Sequence, residues 1–144
     1  MRDAENRTGL PLAEPSTWLV LALSGVFVLL GVLFVFAPRA GAALFGLPAP
    51  EGPGLAYVSV IGLRDLAFGL YLLALSRLST RRAVGTVLGL TVIIPVGDVI
   101  FVFLERGFSA PGHLLLHGAS GAIMAASSAW LIGQASHDNK GGFS

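Results

Sequence analysis

The stretch LAYVSVIGLRDLAFGLYLLAL, residues Leu55–Leu75, decides the fold of this 144-residue chain. It is apolar and long enough to cross a lipid bilayer, which takes about 20 residues of α-helix. Yet Arg64 and Asp65 stand side by side near its centre. A charge at that depth costs about 2.5–3.5 kcal/mol on insertion scales, so such residues persist only where they face partners or a wet cavity. The stretch therefore predicts a membrane helix that borders a polar site.

The composition of the whole chain indicates a membrane protein as well. Hydrophobic residues make up 54% of the chain and charged residues 12%, about half the share that is usual in soluble domains. The net charge is +1 and no basic block is present, which argues against a nucleic-acid-binding surface. Because the chain has no cysteine, it has no disulfide, no thiolate nucleophile and no cysteine-ligated metal or cluster.

Four apolar runs are long enough to span a bilayer. They cover residues 18–36, 55–75, 83–104 and 112–133, with polar tails at 1–15 and 134–144. We therefore predict a single all-α domain, an integral membrane four-helix bundle. The first run also resembles a signal peptide, because Ala40, Gly41 and Ala42 mimic a cleavage site. Its length and the acidic segment before it favour a span that is not cleaved.

The basic residues outside the spans predict the orientation of the bundle. Six of them belong to one side of the membrane and two to the other. The first group comprises Arg2, Arg7, Arg77, Arg81, Arg82 and Lys140, and the second comprises Arg39 and Arg106. Because basic residues favour the cytoplasmic side, we expect both termini to be cytoplasmic, with the protein in the cell membrane.

With this orientation, the ionisable residues of the spans gather in the outer half of the membrane. They are Arg64, Asp65, Asp98, Glu105, His113 and His117. The simplest interpretation is a buried ion pair between Arg64 and Asp98 that fixes the register of two helices. Asp65 lies about 100° around the helix from Arg64, so both cannot point at one partner, and we expect one of the two to face a different helix or a water-filled crevice.

The two histidines and a proline refine the picture of this site. His113 and His117 lie four residues apart on one helix face, a spacing that suits a metal but lacks a third ligand. We therefore predict no metal site, and the commoner role is a hydrogen bond to a carboxylate. Pro95 and Gly97 predict a kink just before Asp98, which can open a small cavity.

Connections and small residues predict how the helices pack. The short second connection predicts an antiparallel hairpin of the second and third spans. The first connection, APRAGAALFGLPAPEGPG, contains four prolines, and we expect it to lie along the outer surface. Stripes of small residues at four-residue spacing predict close helix contacts. The stripes are Gly118, Ala122 and Ala126; Gly121, Ala125 and Ala129; and Gly85 and Gly89.

Four short stretches carry a resemblance to known proteins: PRAGAALFGLP, GLRDLAFG, PVGD and HGASGA. In these stretches the chain resembles the small four-helix DoxX-like membrane proteins, and more closely the family known as domain of unknown function 4267. The resemblance covers about Ala37–Gly133 and implies a four-helix fold with no established reaction. The matching pattern positions are Gly62, Arg64, Gly69, Gly97, Asp98 and His117. His113 and Glu105 lie outside the pattern.

Three functional hypotheses follow. The leading one is an accessory or structural membrane subunit whose outer-half pocket binds a lipophilic small molecule, with Arg64, Asp65 and His113 as ligand-binding residues. The alternative is a membrane-embedded enzyme, an acid/base isomerase or cyclase, in which Asp98 and His117 exchange protons with a lipid-soluble substrate. The third is a proton or solute conductor, which would require oligomers. The expected partners are membrane lipids and a partner subunit or second copy; no cofactor is specified.

Overall fold

A computed structural model describes residues 9–141 of the chain. The described residues contain six α-helices and no β-strand. The helices are α1 (Pro15–Phe36), α2 (Pro38–Phe45), α3 (Leu55–Leu78), α4 (Arg81–Thr91), α5 (Ile93–Arg106) and α6 (Pro111–Gly141). Short 3-10 turns at Gly52–Gly54 and Gly107–Ser109 complete the connections. Met1, Arg2, Arg7, Ser144 and the side chain of Lys140, which enter the predicted orientation, lie outside the described part.

Four segments are long and apolar enough to cross a membrane, which confirms the predicted membrane-spanning helical bundle. They are Pro15–Phe36, Gly52–Leu78, Arg81–Ser109 and Pro111–His137. Each contains the corresponding predicted span and extends beyond it at one end or both. The predicted first connection forms the short helix α2, which Pro38 begins and Gly46 ends.

The helices pack as two close pairs, α1 with α3 and the α4–α5 segment with α6. In each pair a serine hydroxyl donates to a glycine carbonyl of the partner helix. Ser24 Oγ lies 2.7 Å from the Gly69 oxygen, and Ser128 Oγ lies 2.7 Å from the Gly85 oxygen. Within a bilayer such interhelical hydrogen bonds contribute about 0.6 kcal/mol on average, and close van der Waals packing accompanies them.

Glycine at position 31 permits the closest approach of α1 to α3. A Cβ atom placed on Gly31 would lie 2.5 Å from the backbone nitrogen of Leu66 and 2.7 Å from its Cα. Side-chain carbons do not come this close to backbone atoms, so any larger residue would force the two helices apart. The tight contact between the first two spans therefore depends on the absence of a side chain at this position.

The structure corrects two packing predictions. The α3–α4 turn is short, as expected, but these two helices contact each other little along their lengths. Gly85 and Gly89 lie at a close helix contact as predicted, and the helix they contact is α6. A Cβ atom placed on either glycine would lie close to Ser128, at 3.1 and 2.7 Å. The predicted stripes on α6 were mostly wrong, because only Gly121 is buried. The exposed members are Gly118, Ala122, Ala125, Ala126 and Ala129. Close approach needs small residues on only one of two helices, and α4 supplies them.

The third span is broken at Val92, between α4 and α5. Pro95 has no N–H group, so it cannot donate to the carbonyl of Thr91 one turn earlier. The break lies one turn before the position where Pro95 and Gly97 predict a kink. Pro95 then packs against α6, where a Cβ on Gly121 would lie 3.4 Å from the proline ring.

Two apolar clusters hold the bundle together at different levels. The larger one comprises Leu10, Val20, Leu72, Val84, Leu88, Met124 and Leu131. It lies towards the end of the bundle with the α3–α4 turn, where the Leu10 N–H donates to the Ser76 oxygen at 2.8 Å and Arg81 pairs with Glu14 at 3.0 Å. The smaller cluster, at the end with α2, comprises Phe34, Ala42 and Val58.

Replacing Gly31 by leucine should destabilise the bundle because the new side chain collides with the α3 backbone. We expect the free energy of unfolding to fall by about 1–3 kcal/mol, the usual cost of overpacking. Gly25→Leu is the matched control on the same helix, since no atom lies within 4 Å of a Cβ at that position. The measurement is unfolding in detergent, followed by circular dichroism. Equal stability of the two variants would contradict the described packing of α1 on α3.

Candidate functional site

A cavity of about 330 Å³ lies between the two helix pairs. Its walls come from α1, α2, α3, α5 and α6 and are mostly aliphatic and aromatic. The apolar lining includes Leu23, Phe27, Leu30, Phe34, Leu44, Phe45, Leu116, Ile123 and Met124. Four ionisable side chains and one serine also line it: Arg64, Asp65, Asp98, His117 and Ser120. The cavity therefore combines a large apolar surface with a small group of charged and polar atoms.

The structure brings four of the predicted site residues together from three helices. Arg64 and Asp65 come from α3, Asp98 from α5 and His117 from α6. The kink beside Pro95 precedes Asp98 on α5, and Pro95 itself lines the cavity. The other two predicted residues are placed elsewhere. His113 does not line the cavity, and Glu105 is exposed near the end of α5.

Arg64 is paired with its neighbour in the sequence. Its Nε and Nη2 atoms donate to one oxygen, Oδ1, of Asp65 at 3.0 and 2.9 Å. The Asp65 side chain is only 9% exposed. The predicted ion pair between Arg64 and Asp98 was therefore wrong. The long arginine side chain reaches around its own helix to Asp65, although Asp98 remains close enough to interact with Arg64 electrostatically.

His117 lies between a carboxyl group and a backbone carbonyl. Its Nε2 atom is 2.9 Å from the Phe45 oxygen, and its Nδ1 atom is 3.6 Å from Asp98 Oδ2. A carbonyl oxygen only accepts hydrogen bonds, so Nε2 carries the hydrogen of this bond. Nδ1, the other ring nitrogen, faces Asp98. The arrangement orients one imidazole nitrogen towards a carboxyl group at the cavity wall.

Three side chains attach α2 to the rest of the bundle. His113 Nε2 lies 3.1 Å from the Ala43 oxygen, and Arg106 Nη1 donates to the Gly46 oxygen at 3.2 Å. His117 bonds to Phe45, as described above. The last carbonyls of a helix have no partner within the helix, and donors from α5 and α6 supply one here. These bonds hold α2 over the cavity, where Leu44 and Phe45 form part of the wall.

Gly46 is the residue that allows this attachment. Its φ of +95° ends α2 in the left-handed conformation that favours glycine. A side chain at this position would also collide with the imidazole ring of His113. Glycine therefore lets the chain turn in contact with His113, while the carbonyl groups at the end of α2 face the donors on α5 and α6.

Phe45, Ser120 and the role of the two histidines in holding α2 were not among the sequence predictions. Phe45 packs on His117 with ring centroids 4.7 Å apart. One signal was available: Pro38 opens an apolar run that Gly46 closes, the pattern of a short helix with free carbonyls at its end. Those carbonyl groups need hydrogen-bond donors, and the side chains of Arg106, His113 and His117 can supply them.

The described residues contain no group of three or more His, Cys, Asp or Glu side chains that could hold a metal ion. Asp98 and His117 supply two potential ligands, and Asp65 is occupied by Arg64.

A sequence model of the family described as Domain of unknown function (DUF4267) matches residues 24–131. The match covers 108 of the 144 residues and includes every residue of the cavity except Leu23. The chain belongs to this family, as its resemblance in the four quoted stretches indicates. No curated protein and no solved structure matches the chain.

Replacing His113 by leucine should loosen α2 without unfolding the bundle. The change removes one hydrogen bond, worth about 0.5–1.5 kcal/mol, so hydrogen exchange of the α2 amides should accelerate roughly 2- to 10-fold. Exchange in α1 and α4 should stay unchanged. His137→Leu is the matched control, the same substitution at an exposed position of α6. If both variants leave α2 exchange at the wild-type rate, His113 does not hold this helix.

Proposed function

We propose that this member of the DUF4267 family binds one lipid-soluble small molecule in the cavity between its helix pairs. It would do so as an accessory or structural subunit, beside a membrane partner or a second copy of itself. Arg64, Asp65, Asp98 and His117 would contact the polar head of the ligand, and the aromatic and aliphatic walls its apolar body.

The observation that carries this proposal is the mixed character of the cavity. Its volume of about 330 Å³ lies at the lower end of the range usual for ligand sites, about 300–1,000 Å³. Water alone is a poor occupant of apolar walls, because it needs two to four polar partners. A molecule with an apolar body and a compact polar head satisfies both parts of the lining.

The distribution of basic residues supports a bundle with both termini in the cytoplasm and the α2 end facing outwards, in the cell membrane. A DoxX-like arrangement of the four spans is part of this proposal. In that orientation α2 and its three hydrogen bonds lie at the outer boundary, and the cavity lies in the outer half of the bilayer. A ligand would then enter from the outer leaflet.

The Asp98–His117 pair favours a second candidate, a membrane-embedded enzyme of the acid/base isomerase or cyclase type. The 3.6 Å between Nδ1 and Oδ2 places an imidazole and a carboxyl group side by side at the cavity wall. General acid–base catalysis needs such groups within reach of a bound substrate. Arg64 would polarise a substrate oxygen in this reaction.

A bound molecule should accompany the purified protein and should be lost when the cavity is filled. Ser120→Phe places a large ring in the cavity, whereas Ala122→Phe places the same ring on the exposed face of the same helix. Native mass spectrometry after release from detergent should show one added apolar molecule on the wild type and on Ala122→Phe, and none on Ser120→Phe. Equal retention by both variants, or no added mass on any protein, would contradict the proposed function.

Single cysteines test the orientation, since the natural chain has none. An impermeant thiol reagent applied to intact cells should label Glu51→Cys, at the α2 end, and should leave Thr80→Cys, at the opposite end, unmodified. Both should react after the membrane is permeabilised. Labelling of Thr80→Cys alone in intact cells would reverse the proposed topology.

The enzyme candidate predicts that His117→Gln abolishes turnover while the fold is kept. Glutamine can still donate to the Phe45 oxygen, but it cannot exchange a proton with Asp98. A deletion strain complemented with wild type or with His117→Gln should then differ in the apolar compounds of its membranes, as measured by mass spectrometry. Identical extracts from strains with equal amounts of folded protein would exclude the enzyme and leave the binding role.

A further inference from the structure

We infer that the ligand of this cavity carries an electrically neutral head group with both a hydrogen-bond acceptor and a donor, as a hydroxyl or a primary amide has. The inference rests on the proposed function and names the chemistry of its ligand. Its basis is the pairing of the four ionisable side chains at the cavity wall, which leaves one donor group and one acceptor group available.

The available donor is the guanidinium of Arg64. Its Nε and Nη2 atoms are both used on Asp65 Oδ1, and no atom of residues 9–141 accepts a hydrogen bond from Nη1. The side chain is 47% exposed and lines the cavity. An arginine in the middle of a membrane span needs its N–H groups paired, since hydrocarbon offers no acceptor. A carbonyl or hydroxyl oxygen of the ligand would pair them.

The available acceptor is the carboxyl group of Asp98. His117 Nδ1 lies 3.6 Å from its Oδ2 atom, which is longer than a hydrogen bond. No other group in the described part of the chain donates to it. The side chain is 18% exposed and lines the same cavity as Arg64. A hydroxyl or amide hydrogen of the ligand would give this carboxyl group the donor that the protein does not supply.

The charges at the site argue for a neutral head. Arg64 and Asp65 cancel each other at 2.9 Å. Asp98 and His117 form a neutral pair when they hold one proton in addition to the one on Nε2. A charged head would leave the whole site with a net charge inside the bilayer, which is costly. An ammonium head would lie near the Arg64 guanidinium as well as near Asp98, and a carboxylate head would lie near Asp98 as well as near Arg64. Either charged head would therefore meet a like charge at the site.

Protection of a cavity thiol tests this inference. The Ser120→Cys variant is placed in phosphatidylcholine nanodiscs, and its reaction with N-ethylmaleimide is followed by mass spectrometry. Four probes with an unbranched chain of twelve carbons each, counting the carbonyl carbon where there is one, are added at equal mole fraction in the bilayer. Two are neutral, 1-dodecanol and dodecanamide, and two are charged, dodecanoate and dodecyltrimethylammonium. The control variant is Ala122→Cys, whose thiol is on the exposed face of the helix.

The two neutral probes should slow labelling of Ser120→Cys by roughly fivefold, as four-fifths occupancy gives by mass action. The charged probes should leave its rate unchanged, and no probe should affect Ala122→Cys. Equal protection by all four probes would overturn the inference about the head group and leave the proposed binding function standing. Protection by a charged probe alone would overturn the inference in the same way. If no probe protects Ser120→Cys, the inference and the proposed function both fail.

Discussion

The pairing of Arg64 with Asp65 is the interaction on which the rest of the structure depends. Both residues sit about nine or ten residues into a membrane-spanning helix, where an unpaired charge would be expensive. Placing the two opposite charges next to each other in the sequence makes the pair available as soon as the helix forms. Both side chains line the cavity, so the side of α3 that carries them is the side that borders it.

The two close helix pairs explain why a cavity remains between them. Glycines and serine–carbonyl hydrogen bonds draw α1 against α3 and α4 against α6, so most of the packing is satisfied within each pair. The pairs meet mainly through the larger apolar cluster around Leu72 and Leu88. The smaller cluster around Phe34 instead joins α2 to α1 and α3. The charged side chains lie between these two levels, and the space beside them is the cavity. Helix α2 then covers this space, held by donors from α5 and α6.

Much of this architecture could be predicted from the sequence, because the thickness and apolar interior of the bilayer set the length and composition of each spanning segment. Counting residues along the helices predicts the four spans and the common level of Arg64, Asp98 and His117. The missing N–H group of Pro95 predicts the break before Asp98. The hydrogen-bond and ion-pair partners of the individual side chains could not be predicted in this way. An arginine has enough reach to choose among several carboxylates, and rise per residue does not decide between Asp65 and Asp98. The small residues on α6 did not indicate which face of that helix packs against α4. The room for close contact comes from α4 itself, through Gly85.

A double-mutant cycle measures the central claim directly, that Arg64 is paired with Asp65 rather than with Asp98. Arg64→Met, Asp65→Asn and Asp98→Asn would be compared singly and in pairs by the free energy of unfolding in detergent. Removing one member of an ion pair leaves the other charge without a partner, and removing both restores much of the loss. We predict a coupling energy of roughly 1–3 kcal/mol between Arg64 and Asp65, and a smaller one between Arg64 and Asp98. Additive losses for Arg64 and Asp65, or stronger coupling to Asp98, would contradict this account.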